Sequence, residues 1–277
     1  MKANKIHHGR RSFLAIAGVV LVTAAGVAIM IGYEKLRDAW LEQCVVRSME
    51  GQVEIESGKM VKADVIAENL GLRPGANLAT IDFEAKRAAM LKKIPNLRDV
   101  KISRRLPDKV SVTIEERTPV VRLGVRGVKK SSDRVADTEG VVFLCARGTG
   151  LLPIIRETNP PGAAPGHRLE GRARAALRLV EASREPEFQD IGLLDVDLSK
   201  IDYLSATLSY GSRYSTLKIA WEDMDEPATP ASNASLARQL RHTKEAIATP
   251  AGEGVSVWNA TDYSYPGRVF ADTKGKL

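Results

Sequence analysis

Residues Ser12 to Tyr33 read SFLAIAGVVLVTAAGVAIMIGY, twenty-two positions without a charge. As a helix rising about 1.5 Å per residue, this run reaches roughly 33 Å, enough to cross the hydrocarbon core of a bilayer. Lys2, Lys5, Arg10 and Arg11 precede it with no acidic residue, and the mixed-sign Glu34-Lys35-Leu36-Arg37-Asp38 follows. Basic flanks stay cytoplasmic. The pattern therefore predicts a single-pass helix over 12–33 in the cytoplasmic (inner) membrane, N-terminus inside, with the remainder in the periplasm or outside. The alternative is a cleaved signal peptide, whose apolar core usually spans about 7–15 residues and ends at a small-residue cleavage site. This run is longer and continues into Gly-Tyr-Glu-Lys. Ala24, Ala28 and Gly32 recur every fourth residue, a spacing that lets helices approach closely, although small residues scattered in an apolar run read the same way.

Charge narrows what the exported part does. Of the net charge of +7, four positive charges lie in residues 1–11, which leaves +3 for the rest. Nucleic-acid binding would want a clustered basic face, so no nucleic-acid partner is expected. The two cysteines, Cys44 and Cys145, are far apart and make no disulfide framework; a single bridge stays open as an option in an oxidising compartment.

Residues 1–11 form a polar tail and 34–51 a connector, with a helical extension over Glu34–Gln43. The first domain is expected over 52–119. Val53 and Ile55 alternate as in a half-buried strand. Val61, Val65, Ile66 and Leu70 recur at helical spacing and Gly71 supplies a left-handed stop. Asp82 caps a second helix carrying Phe83, Met90, Leu91 and Ile94, which Pro95 closes. Val100 and Ile102 alternate, Leu106-Pro107-Asp108-Lys109 reverses the chain, and Val110, Val112 and Ile114 alternate again. Strand, helix, helix, strand, strand with one apolar face makes a small two-layer domain; a charge at Ile114 is expected to unfold it.

A larger, mixed, strand-dominated domain is expected over 120–272, with a tail over 273–277. Short alternating segments lie at Val120–Val125 and Gly140–Leu144, and Asn159–Gly171 is a Pro/Gly loop. Arg172–Glu185 is helical, and Leu204–Tyr210 and Tyr214–Trp221 flank the hairpin turn Gly211-Ser212-Arg213. Ser232-Asn233 caps a helix from Ser235 to about Ile247. Val255, Val257, Val269 and Phe270 read as closing strands around Pro266-Gly267. The fold class is α+β.

No catalytic constellation emerges. His167 sits in the Pro/Gly loop and His242 on a helix, without a G-x-S-x-G or an S-x-x-K set. No Cys/His spacing suits zinc, and there is no P-loop. Arg147-Gly148-Thr149-Gly150 is a lone glycine pair. Asp195 and Asp197 fit strand alternation better than a carboxylate pair. No enzyme activity, cofactor, metal or small-molecule substrate is expected.

Residues Val53 to Leu123 resemble the POTRA domain of the bacterial cell-division proteins FtsQ/DivIB. The matching marks are Leu70-Gly71-Leu72-Arg73-Pro74-Gly75 with Asn77-Leu78, Ile94-Pro95, Arg104-Arg105-Leu106-Pro107 and Glu116-Arg117-Thr118-Pro119-Val120. Downstream, Asp137-Thr138-Glu139-Gly140-Val141-Val142-Phe143, Leu236-Ala237-Arg238-Gln239-Leu240 and Asp262-Tyr263-Ser264-Tyr265-Pro266 resemble the family's hairpin, late helix and final strand pair. Departures are Asp202-Tyr203-Leu204-Ser205 where the family has a Trp, the long acidic loop Glu222–Pro230, and the added residues Gln43–Gly51. The resemblance implies a non-enzymatic divisome scaffold at the division septum. It binds FtsB/FtsL-like or DivIC/FtsL-like coiled-coil partners and helps place and regulate the septal peptidoglycan synthase complex. A POTRA protein of a secretion or envelope-assembly machine is the other reading, which wants repeated POTRA units or a barrel.

A terminal strand near Tyr265–Ala271 could leave its edge unpaired and accept a partner's strand. On the residues alone, Val269 and Phe270 equally well finish the domain's own core. With the resemblance, Tyr265, Pro266, Gly267, Arg268, Val269 and Phe270 become the expected partner-binding edge, and Val269→Pro the change that breaks it.

Overall fold

The computed structural model describes residues 6–128, 133–157, 164–265 and 268–271, with 6–19 described by backbone alone. Two compact units result, residues 1–90 with 100–114 and residues 91–99 with 115–277.

The first unit opens with helix α1 (Ile6–Gln43). Among the described residues no helix is long and apolar enough to cross a membrane. From Val20 onward the charge-free stretch lasts only to Tyr33, before Glu34, Lys35, Arg37 and Asp38. The expected span 12–33 thus starts among side chains outside the described set. The helix is present over the whole run, but its crossing a bilayer is not shown.

Next come β1 (Val53–Glu56), α2 (Ala63–Leu70), α3 (Phe83–Lys93), β2 (Leu97–Arg105) and β3 (Lys109–Glu116), in a three-stranded sheet ordered β1-β3-β2. β1 runs parallel to β3, Val53 against Val110 and Ile55 against Val112. Helix α2 stops where expected: Gly71 has φ 76°, its N–H reaches Glu68 O (3.0 Å), and Leu72 N–H reaches Ala67 O (2.8 Å). This closes the last turn as a Schellman motif, with Leu72 buried behind it. Asp82 caps α3 by accepting from Ala85 N–H (3.0 Å). The residues ahead of β1 are no loose connector: Cys44 and Val46 are fully buried. Leu78 N–H donates to Cys44 O (2.9 Å), and Val46 N–H donates to Ala76 O (2.8 Å). On β3 the inward positions are Val110 and Val112; Ile114 is only half-buried. A charge at Ile114 can reach water, so Val112, not Ile114, is the position where one would be trapped.

The second unit holds β4 (Val121–Val125), β5 (Arg134–Ala136), β6 (Val142–Leu144), β7 (Ile154–Glu157), α4 (Gly171–Ser183), β8 (Ile191–Asp197), β9 (Leu204–Tyr210), β10 (Arg213–Ile219), α5 (Pro230–Ala248), β11 (Val257–Ala260) and β12 (Phe270–Ala271). The sheet order is β12-β11-β10-β9-β8-β7-β4-β5-β6. Leu177 and Val180 of α4 and Leu236 and Leu240 of α5 pack with Val196, Leu204, Leu208, Leu217 and Trp258 in one core. Along β9 the in-between residues Ser205, Thr207 and Ser209 are half-buried on the other, polar face. Asp195 and Asp197 are strand residues: Asp195 accepts from Thr207 (3.1 Å), and Arg126 Nε lies 3.1 Å from Asp197.

The helix α5 cap differs from the sequence reading. Thr229 caps it, its hydroxyl accepting from Ser232 N–H (3.1 Å), and Pro230 takes the first turn, where its missing N–H costs nothing. Ser232 lies buried inside the helix instead. Thr229→Ala is expected to lower stability by about 1 kcal/mol, measured as a shift in urea midpoint; no shift would mean the cap contributes nothing.

Candidate protein-docking edge

The nine-stranded sheet has two edges, and the chain treats them differently. At one edge, β6 pairs with β5 through Ala136–Val142, Val135–Phe143 and Arg134–Leu144. The loop 166–169 then covers it. Val142 N–H donates to His167 O (2.9 Å), Gly166 N–H to Val142 O (2.8 Å) and Leu169 N–H to Gly140 O (2.8 Å). Asn96 Nδ2 adds a bond to Leu144 O (2.8 Å). Covering an edge in this way removes its capacity to template another strand.

At the opposite edge β12 pairs antiparallel with β11, Trp258 against Ala271 and Asn259 against Phe270. Among the described residues no further strand lies beyond it. β11 is held parallel to β10, Leu217 against Trp258 and Ile219 against Ala260. Trp258 and Ala260 alternate into the core, so Asn259 and its partner Phe270 fall on the other face. Phe270 is accordingly 51% exposed, whereas Val269 packs partly against the core. The two sequence readings of this pair thus divide between its members: Val269 helps finish the core, and Phe270 does not. Tyr265 is 58% exposed and carries the Arg268 guanidinium 5.0 Å from its ring centroid. Pro266 and Gly267 lie outside the described residues.

The second unit also joins two of the motifs singled out in the sequence. Arg117 Nη1 donates to both Asp137 Oδ2 and Glu139 Oε2 (3.1 Å to the latter). Asp137 Oδ1 accepts from Val141 N–H (2.8 Å), and Arg98 bridges Glu115 (3.0 Å) and Glu139 (3.2 Å). Burial alone would push the Arg117 guanidinium down, but its bonds to Asp137 and Glu139 carry it above the usual arginine value. The hydrogen bond from Arg117 holds the Glu139 carboxyl below the usual glutamate value near 4.5, against a smaller opposing effect of burial. A carboxyl lowered by folding stabilises the native state above its unfolded pKa, and that stability fades as pH falls through the folded value. The urea midpoint should therefore drop on acidification below about pH 4.5 less steeply for Glu139→Gln than for the parent. Equal slopes would mean the carboxyl contributes nothing.

Cys44 and Cys145 are both free thiols. Among the described residues, no three His, Cys, Asp or Glu side chains are grouped to hold a metal. The cover over β6 and the buried Arg178, which donates to Ser232 Oγ and to Asn233 Oδ1 (2.9 Å to the latter), escaped the sequence reading; both rest on contacts between distant segments, for which a single sequence carries no signal.

A small βααββ domain, followed along the chain by a strand-rich, helix-backed unit, is the make-up of a POTRA-bearing protein. Residues 51–117 match the family model described as POTRA domain, FtsQ-type. The chain is similar to the cell division protein FtsQ of Streptomyces collinus, 23% identical over 171 residues that span 61% of this chain and 61% of that protein. The chain thus covers about three-fifths of that relative's length. Both similarities support the FtsQ/DivIB resemblance drawn from the residues.

Proposed function

We propose that this protein is a non-enzymatic scaffold of the cell-division machinery. It docks FtsB/FtsL-like or DivIC/FtsL-like coiled-coil partners outside the cytoplasmic membrane, and through them helps place septal peptidoglycan synthesis. The observation that carries the reading is the contrast between the two sheet edges: one is covered by the chain's own loop, the other ends on the exposed Phe270. A partner strand beside β12 would gain backbone hydrogen bonds, while Tyr265, Arg268 and Phe270 would supply selectivity. The FtsQ-type POTRA match and the name of the Streptomyces relative support a cell-division setting. Residues 12–33 are taken as the single membrane anchor, N-terminus inside.

Affinity recovery from native membranes with the full chain as bait tests this reading. Small coiled-coil division proteins are the expected catch. Secretion or outer-membrane assembly components in their place would assign the POTRA domain to a different machine.

A further inference from the structure

Past Tyr33 charges return to helix α1, yet the large exposed apolar side chains there, Leu36 and Trp40, continue one stripe of the helix. Val22, Gly26, Ile29, Tyr33, Leu36 and Trp40 recur at intervals of four and three residues. This is the heptad spacing of a helix that pairs along a single seam. The five larger members are between 46% and 75% exposed, so the first unit leaves the stripe uncovered. Lys35, Asp38 and Glu42 fall on the opposite side of the helix.

Lipid does not cover the outer half of this stripe. At 1.5 Å per residue, Leu36 stands about 4.5 Å and Trp40 about 10 Å beyond Tyr33, where the charge-free run ends. The interfacial layer outside the hydrocarbon core is only about 5–8 Å thick on each side. A tilt near 20° shortens the reach of Trp40 by less than about 1 Å.

We propose that the stripe is the seam of a parallel, in-register pair between this helix and the same helix of a second copy of the chain. In such a pair Tyr33 enters the hole formed by Ile29, Gly32, Tyr33 and Leu36 of the second copy, and Trp40 the hole formed by Leu36, Ala39, Trp40 and Gln43. The two bulkiest knobs thus meet the small wall residues Gly32 and Ala39. A Cβ at Gly32 would meet nothing within 4 Å in its own chain, so that wall is open. A copy in register supplies both holes at the heights of both knobs. The positions flanking the seam, which in other coiled coils choose a different partner by charge, are Met30, Gly32, Arg37 and Ala39. Their one charge, Arg37, lies 3.2 Å from Asp38 of the same helix. The seam therefore has a self-complementary shape and no charge code for a foreign chain. Burying the five large side chains at roughly 100 Å² each covers about 1,000 Å² over two copies, the size at which specific interfaces begin. The parallel direction rests on the reading of residues 12–33 as the anchor, which orients every copy alike; the pairing is independent of the β12 edge.

The test uses the full chain in native membranes, in a Cys145→Ser background, since Cys44 is fully buried. Leu36→Cys on the seam, and Lys35→Cys and Glu42→Cys opposite it, are oxidised with copper phenanthroline, and non-reducing gels read the covalent dimer. Leu36→Cys is expected to dimerise at least tenfold more than either control. Adding Gly32→Leu and Ala39→Leu, which fill both holes, should return it to the control level, with the melting temperature of the purified chain unchanged. Carbonate extraction of the same membranes checks the anchor: chain released to the supernatant would overturn the anchor reading and the pairing that rests on it. For chain retained in the membrane, three results would overturn the pairing alone: no dimer from Leu36→Cys, as lipid or another protein on the seam would give, equal dimer from all three positions, or a dimer that survives the filled holes.

Discussion

Arg117→Ala is expected to lower the stability of the second unit by about 3–5 kcal/mol, the cost of leaving a buried carboxylate without its counter-charge. Asp137 is 4% exposed, and its other oxygen is already committed to Val141 N–H. The carboxylate cannot turn to water without giving up the turn Asp137–Val141, through which β5 leads into β6. Arg117 is itself tied to the β2 region, its N–H donating to Asn96 O (2.8 Å). In a body of this size the loss amounts to roughly 10 °C in Tm. Asp137→Ala removes the trapped charge but orphans Val141 N–H, so it too is destabilising. Because both changes strike one network, the double variant should cost less than the two singles added. Urea denaturation of the four chains decides it: additive losses, or a loss below about 1 kcal/mol for Arg117→Ala, would mean that the ion pair does not organise this turn.

Phe270→Asp is expected to abolish recovery of the coiled-coil partners, at least tenfold below the parent, while changing stability by no more than about 0.5 kcal/mol. A charge on an exposed edge strand is the device by which natural sheets refuse a further strand. Phe270 is exposed and lies on the face away from the core, so the charge stays in water when the partner is absent. Val269→Pro, the change that the sequence alone recommends, mixes two effects. It removes a backbone donor, and it disturbs a side chain packed against the core. The aspartate variant separates docking from folding. Undiminished recovery by a folded Phe270→Asp chain would exclude β12 as the docking strand.

The first unit was largely legible because its strands are half-buried and its punctuation is local. Val53 and Ile55, the left-handed Gly71 and the Asp82 cap all act within a turn or two of themselves, and each sits where periodicity puts it. The second unit was less so. In β7, Ile154 and Ile155 are both buried, one on each face, between parallel neighbours β4 and β8. A strand covered on both sides loses the alternation by which strands are read. β5 is three residues long beside a turn, too short to show a period. Ser232-Asn233 has the residue types of a cap, yet Thr229-Pro230 starts the helix, and Ser232 and Asn233 serve Arg178 instead. Tyr265–Phe270 are expected as an edge only through the family resemblance; the described strand is Phe270–Ala271, and its place beside β11 follows from β11 returning next to β10, a long-range pairing that a single sequence does not display.

The most direct test of the open edge is photo-crosslinking in dividing cells from a benzoylphenylalanine placed at Phe270 of the full chain, with the same probe at Ile201, 84% exposed and away from the edge, as control. An adduct with a small coiled-coil division protein from position 270 and none from 201 is the predicted result. No such adduct at 270, or the same adducts from both positions, would contradict the docking of a partner at β12.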